Sequence, residues 1–238
     1  MKKLFLMLAV SMMTASVYAQ RTAVTANKAG DNWYIGINAG VATPMNKFRT
    51  NLGGGEDYGF MKGVSPEFGV RIGKNLTTVF GLALDINNYF GNKSDSKSMF
   101  GSKTFINATD FDILSTWNLN NLFAGYKGEP RAFEVIALVG GGYSHTYGAP
   151  QSGVNVKGAI DFAFNLGANK AWQLYIEPAI VMGQPMPSWS NPLRKVNDKW
   201  NGIGQVSVGL NYKFGNSNGS HNFKIEQLRD QAEIDGLN

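Results

Sequence analysis

Gln205-Val206-Ser207-Val208-Gly209-Leu210-Asn211-Tyr212-Lys213-Phe214 alternates apolar and polar or small residues at every step. Val206, Val208, Leu210, Tyr212 and Phe214 fall on one face of an extended strand; Gln205, Ser207, Gly209, Asn211 and Lys213 fall on the other. Successive strand side chains point to opposite sides, so the run predicts a strand whose two faces meet different surroundings. Seven earlier runs repeat the pattern. Asn32 to Val41 sets Trp33, Ile35 and Ile37 against Tyr34, Gly36 and Asn38, and Val64 to Gly73 sets Phe68, Val70 and Ile72 against Glu67, Gly69 and Arg71. Phe80 to Asn87 opposes Leu82, Leu84 and Ile86 to Asp85 and Asn87. Asp110 to Leu119 opposes Phe111, Ile113 and Trp117 to Asp110 and Asp112. Val154 to Leu166 places Lys157 and Asp161 on the polar face, and Trp172 to Met182 places Tyr175 and Glu177 there. The fifth run, Phe133 to Ser144, is irregular, because Ile136 and Leu138 share a face with Glu134.

The connections add a second pattern. Those after runs two and six, Lys74-Asn75-Leu76 and Ala168-Asn169-Lys170, are short, and Asn120 to Arg131 is long for a turn. Those after runs one, three, five and seven span 42–63, 88–103, 145–153 and 183–201. Short links at one end and long ones at the other fit a membrane barrel with periplasmic turns and external loops. The chain begins with Lys2-Lys3, an apolar Leu4 to Val10 run and Val17-Tyr18-Ala19, which reads as a signal peptide over 1–19. A lead-in over 20–31, a barrel over 32–214 and a 215–238 segment follow. That last segment joins a polar linker, Gly215 to Ser220, to a short helical periplasmic tail with Ile225, Leu228 and Ala232 at helical spacing. The implied location is the bacterial outer membrane.

Composition narrows the function. The 238 residues contain no cysteine, which excludes disulfides, thiolate metal sites and a cysteine nucleophile. The formal charge of +5 falls by two with the signal's lysines, and the remaining basic residues are scattered, so a nucleic-acid partner is not expected. His145 and His221 stand far apart, and adjacent Ser144 and His145 point to opposite faces, so neither a metal site, a catalytic pair nor a cofactor is expected. Gly53 to Gly55 and Gly140 to Gly142 lack the Lys-Ser/Thr continuation of a phosphate cradle.

Alternation would also suit a soluble barrel with its apolar face inside. Four features favour lipid outside. The polar face is rich in small residues with charges of both signs, which suits a narrow eight-stranded lumen. Trp33, Trp117, Trp172, Tyr212 and Phe214 lie on the apolar face at the ends expected to be periplasmic, forming an aromatic girdle. An even strand count closes without an edge. The Gly209, Tyr212 and Phe214 pattern resembles the terminal assembly signal of bacterial outer-membrane barrels. The fold expected is therefore all-β: an eight-stranded antiparallel up-and-down transmembrane β-barrel with a short linker and helical tail.

Within it, Glu67, Arg71, Asp85, Asp110, Asp112, Glu134, Lys157, Asp161, Glu177 and Lys213 are candidates for an interior charge network. They would serve either as a neutralised polar core or as the lining of a narrow pore. Trp189, Arg194 and Trp200 in the fourth external loop are candidates for a binding surface.

The eight runs, Tyr175-Ile176-Glu177-Pro178 and the Tyr212-Lys213-Phe214 finish resemble the N-terminal barrel of OmpA-type outer-membrane proteins over roughly Asp31 to Phe214. The resemblance implies a structural envelope protein without enzymatic activity, with weak pore activity and loops exposed at the surface. In two-part members, a linker and helix lead to a domain that grips peptidoglycan through an Asp and an Arg. Neither has a counterpart here, so tethering is not carried over. The expected partners are outer-membrane lipid, the barrel-assembly machinery through the last strand, and a periplasmic protein through residues 221–238. A narrow diffusion channel is the alternative function.

Overall fold

The computed structural model describes residues 24–25, 27–44, 64–91, 104–147, 152–183 and 203–225. Eight strands follow one another: β1 (Trp33–Pro44), β2 (Ser65–Asn75), β3 (Phe80–Phe90), β4 (Ile106–Asn118), β5 (Phe133–Thr146), β6 (Gly153–Leu166), β7 (Trp172–Gly183) and β8 (Ile203–Lys213). Each pairs antiparallel with its sequence neighbour, and β8 returns to β1 with Ile35 opposite Tyr212 and Ala39 opposite Val208. The sheet is a closed barrel without an edge strand, and its β6–β7 ladder is interrupted between the Ala159–Ala179 and Phe162–Ile176 pairs, beside Pro178.

The faces follow the alternation. Ile113 is 66% exposed on the outside, whereas its neighbour Asp112 is fully buried inside. Trp33, Ile72, Leu84, Phe162, Ile176 and Val208 join Ile113 in the outer apolar surface. An apolar exterior around a charged interior inverts a soluble protein, and it fits a barrel solvated by hydrocarbon. No helix among the described residues is long and apolar enough to cross a membrane.

One local reading needs correction. Leu119 does not extend β4: Asn118 caps a short helix, α1 (Leu119–Ala124), by accepting a hydrogen bond from the Asn121 N–H. This helix accounts for the unexpected length of the β4–β5 link. The irregular β5 resolves with Glu134, Ile136, Leu138, Ser144 and Thr146 inward and Val139, Tyr143 and His145 outward. Leu138 faces the lumen because Leu114, Ala159 and Ala179 line the same wall and give it an apolar partner set.

The short-turn end carries a base plate built from both flanks of the barrel. Thr25 N–H donates to the Lys224 carbonyl at 2.9 Å, and Val24 and Ile225 form an antiparallel bridge. Asn32, in left-handed backbone conformation (φ 60), donates its N–H to Asn216 Oδ1 at 2.7 Å and accepts from Asn216 Nδ2 at 2.8 Å. Asn tolerates that conformation better than most residues, and the paired amides hold it there. Asp31 accepts from the Ser217 N–H at 2.7 Å and the Ser217 hydroxyl at 2.9 Å. The backbone bond from Ser217 is the main reason its carboxyl sits below the usual carboxylate range. The polar spacer Gly215 to Ser220 is thus hydrogen-bonded to the lead-in.

Candidate functional site in the barrel lumen

Five of the ten expected interior charges meet in one network. Arg71, on β2 and 1% exposed, donates through Nε to Asp85 Oδ1 and through Nη1 to Asp161 Oδ2, both at 3.1 Å, and its Nη2 also reaches Glu177. Lys157 on β6 approaches Asp85 Oδ2 at 2.7 Å and Glu177 Oε1 at 2.9 Å. The two cations therefore share the Asp85 and Glu177 carboxylates across the lumen. Buried charges of this kind are tolerable only when paired and hydrogen-bonded, which explains the convergence of β3, β6 and β7 on Arg71.

Tyrosines frame the network. The Arg71 guanidinium lies 5.1 Å from the centre of the Tyr175 ring. That ring packs on Gly209 of β8, where an added Cβ would stand 2.2 Å from Tyr175 Cζ; Tyr34 covers Gly73 of β2 in the same way. Gly209, a candidate part of the assembly signal, thus also has a packing reason to lack a side chain.

The other five charges lie above and below. Toward the long-loop end, Glu67 accepts from the Ser207 hydroxyl, and Asp110 accepts from the Tyr89 hydroxyl at 2.8 Å, with Gln205 reaching the same tyrosine oxygen. Glu67, Asp110 and Asp112 make no ion pair among the described residues. Beyond them, Ala42, Tyr89, Ala108, Val181 and Ile203 pack into a buried apolar cluster inside this end of the barrel. Tyr89 escaped the sequence reading because β3 runs to Phe90, past the expected end at Asn87.

Toward the short-turn end, Glu134 and Lys213 border a cavity of about 70 Å³ together with Asp161, Gln173 and Asn211. Its floor is the base plate: Tyr126 donates its hydroxyl to the Phe223 carbonyl at 2.8 Å, with the two rings edge to face at 6.5 Å. Burial at that contact raises the Tyr126 hydroxyl above the ordinary tyrosine range. No periodic pattern marked Tyr126 or Phe223, since both lie outside strands.

Trp33, Trp117, Trp172, Tyr212 and Phe214 all cluster on the outside at the short-turn end. Trp172 and Tyr212 pack at 4.8 Å and Tyr212 and Phe214 at 5.6 Å between ring centres. Phe80, 4.8 Å from Trp117, and the Phe133–Phe164 pair at 5.1 Å extend the same belt. His145 is exposed and contacts Ser152 Oγ at 3.1 Å, while Ser144 is buried inside. Gly53 to Gly55, Trp189, Arg194, Trp200 and the tail beyond Ile225 lie outside the described residues.

No family model matches the chain. It is 26% identical over 244 residues to Outer membrane protein 41 of Porphyromonas gingivalis (strain ATCC BAA-308 / W83), a match covering 94% of this chain and 58% of that protein. The chain thus spans little more than half the length of that relative. Among solved structures it is similar to Neisserial surface protein A (TM-score 0.48, 12% identity, 77% of this chain and 98% of that one). It is also similar to Ail of Yersinia pestis (TM-score 0.40, 8% identity, 76% and 98%) and to the N-terminal barrel domain of Pseudomonas aeruginosa OprF (TM-score 0.36, 10% identity, 76% and 97%). The chain is a closed eight-stranded antiparallel barrel.

Proposed function

We propose that this chain is an OmpA-like structural protein of the outer membrane, exported by its signal peptide, whose plugged barrel supports the envelope and presents loops at the surface. The observation that carries the reading is the filling of the lumen. Arg71, Lys157 and three carboxylates occupy its middle, and Tyr89 with Val181 and Ile203 fills its long-loop end. An eight-stranded barrel has an interior just wide enough for side chains to fill, so these groups leave little room for a continuous aqueous path. Lipid would solvate the outer belt, the assembly machinery would read the last strand, and a periplasmic partner would meet residues 221–238.

The alternative is a narrow diffusion channel. It is favoured by the sharing of Asp85 and Glu177 between two cations, which offers exchangeable pairs above a cavity. Deletion of the gene separates the two. The structural role predicts greater detergent sensitivity with unchanged uptake of small hydrophilic solutes. Slower uptake with an intact envelope would overturn it in favour of the channel.

A further inference from the structure

The cavity at the short-turn end has an unusual charge arrangement. Lys213 is 7% exposed, and its ammonium is held by two neutral oxygens, Asn165 Oδ1 at 2.8 Å and Asn222 Oδ1 at 3.2 Å. No carboxylate reaches it within ion-pair distance among the described residues. An ammonium has three donors, so one remains for a further acceptor. Glu134 borders the same cavity and is tied to Lys213 only through Asn165, whose Nδ2 donates to Glu134 Oε2 at 2.8 Å. The amide thus keeps a buried cation and a buried carboxylate apart instead of letting them neutralise each other. Asp161 Oδ1 and Asn211 Oδ1, both buried on the cavity's border, have no hydrogen-bond partner among the described residues, while Asp161 Oδ2 is held by Arg71.

Buried polar groups left in this state are costly unless something satisfies them. An anion would meet Lys213 but be repelled by Glu134 and Asp161, and a cation would meet the reverse. A molecule carrying both charges satisfies both walls. The volume of about 70 Å³ gives room for about five water-sized groups, matching the non-hydrogen atoms of the smallest amino acid.

From this we propose that the cavity is a binding site for a small zwitterion of amino-acid size. Its carboxylate takes the free donor of Lys213, and its ammonium faces Asp161 and Glu134. Phe223 and Asn222 of the base plate form the floor, so entry is from the short-turn end when that plate moves.

The test is solution NMR of the folded barrel in micelles, following the side-chain amides of Gln173, Asn211 and Asn222. Glycine is the probe, and acetate and methylammonium are its half-charged controls. Glycine should give saturable shifts at millimolar concentration, with each control at least about tenfold weaker. Lys213→Met should abolish the response. Asn222→Asp, on the base plate and outside the ladder, should also abolish it by placing a competing carboxylate beside Lys213, and it serves if the first variant does not fold. Absence of a saturable glycine response would mean that the cavity holds water alone and would overturn the proposal. An acetate response equal to that of glycine, or a glycine response that survives Asn222→Asp, would also overturn it.

Discussion

Arg71→Met tests whether the lumen is held by its central network. The substitution keeps most of the apolar stem and removes the guanidinium that bonds Asp85 and Asp161 at 3.1 Å and also reaches Glu177. Lys157 remains within 2.7 and 2.9 Å of Asp85 and Glu177, so those two carboxylates keep a partner. Asp161 loses its only ion-pair partner among the described residues. Breaking a buried pair by deleting one member costs about 3–5 kcal/mol, because a charge is left uncompensated. The double variant Arg71→Met/Asp161→Asn removes that stranded charge, and contacting sites of this kind couple by about 0.5–3 kcal/mol. Urea unfolding of the barrel from lipid vesicles, followed by tryptophan fluorescence, measures both. A large loss is expected for the single variant and partial recovery in the double. A single-variant cost under about 1 kcal/mol, in the range of exposed ion pairs, or no recovery in the double, would refute that expectation.

Three further outcomes follow from the packing. Leu84→Arg, on the outer face midway along β3, should cost about 2–4 kcal/mol if hydrocarbon surrounds it, and unchanged stability in vesicles would invert the assignment of faces. Gly209→Ala drives a methyl against Tyr175 and should cost about 1–3 kcal/mol as overpacking. Adding Tyr175→Ala should relieve part of that cost, and additive losses in the same urea experiment would show that the two residues do not compete for space. The lowered carboxyl of Asp31 gives the base plate an acid limit. Its contribution is complete above the unfolded value of about 3.9 and disappears as pH falls through the lower folded value. Hydrogen exchange at the Ser217 amide should therefore accelerate, relative to the strand amides, only under strongly acid conditions; acceleration already near neutrality would assign the protection elsewhere.

The barrel was legible because strand side chains alternate strictly, so a glance along Gln205 to Phe214 separates outward-facing from lumen-facing residues without knowledge of the partner strand. The same rule placed Arg71 and Lys157 inside. It could not say which acid meets which base, because the pairing depends on the strand tilt and stagger that closure imposes. Arg71 meets Asp161 across the lumen, 90 residues away in sequence. β5 was ambiguous for a related reason: Leu138 looks misplaced on a polar face until Leu114, Ala159 and Ala179 are seen beside it. The base plate left no trace in the pattern. Its contacts join Asn32 to Asn216 across 184 residues through single amides, and turn residues such as Asn and Ser read as an unstructured linker when their partners are unknown.

Single-channel recording in a planar bilayer, on protein shown to be folded by its heat-modifiable mobility on a gel, decides whether the lumen is closed. Folded barrels that remain electrically silent are the predicted result. Steady, reproducible openings from the same folded protein would contradict a plugged barrel and identify the shared Arg71 and Lys157 pairs as a gate.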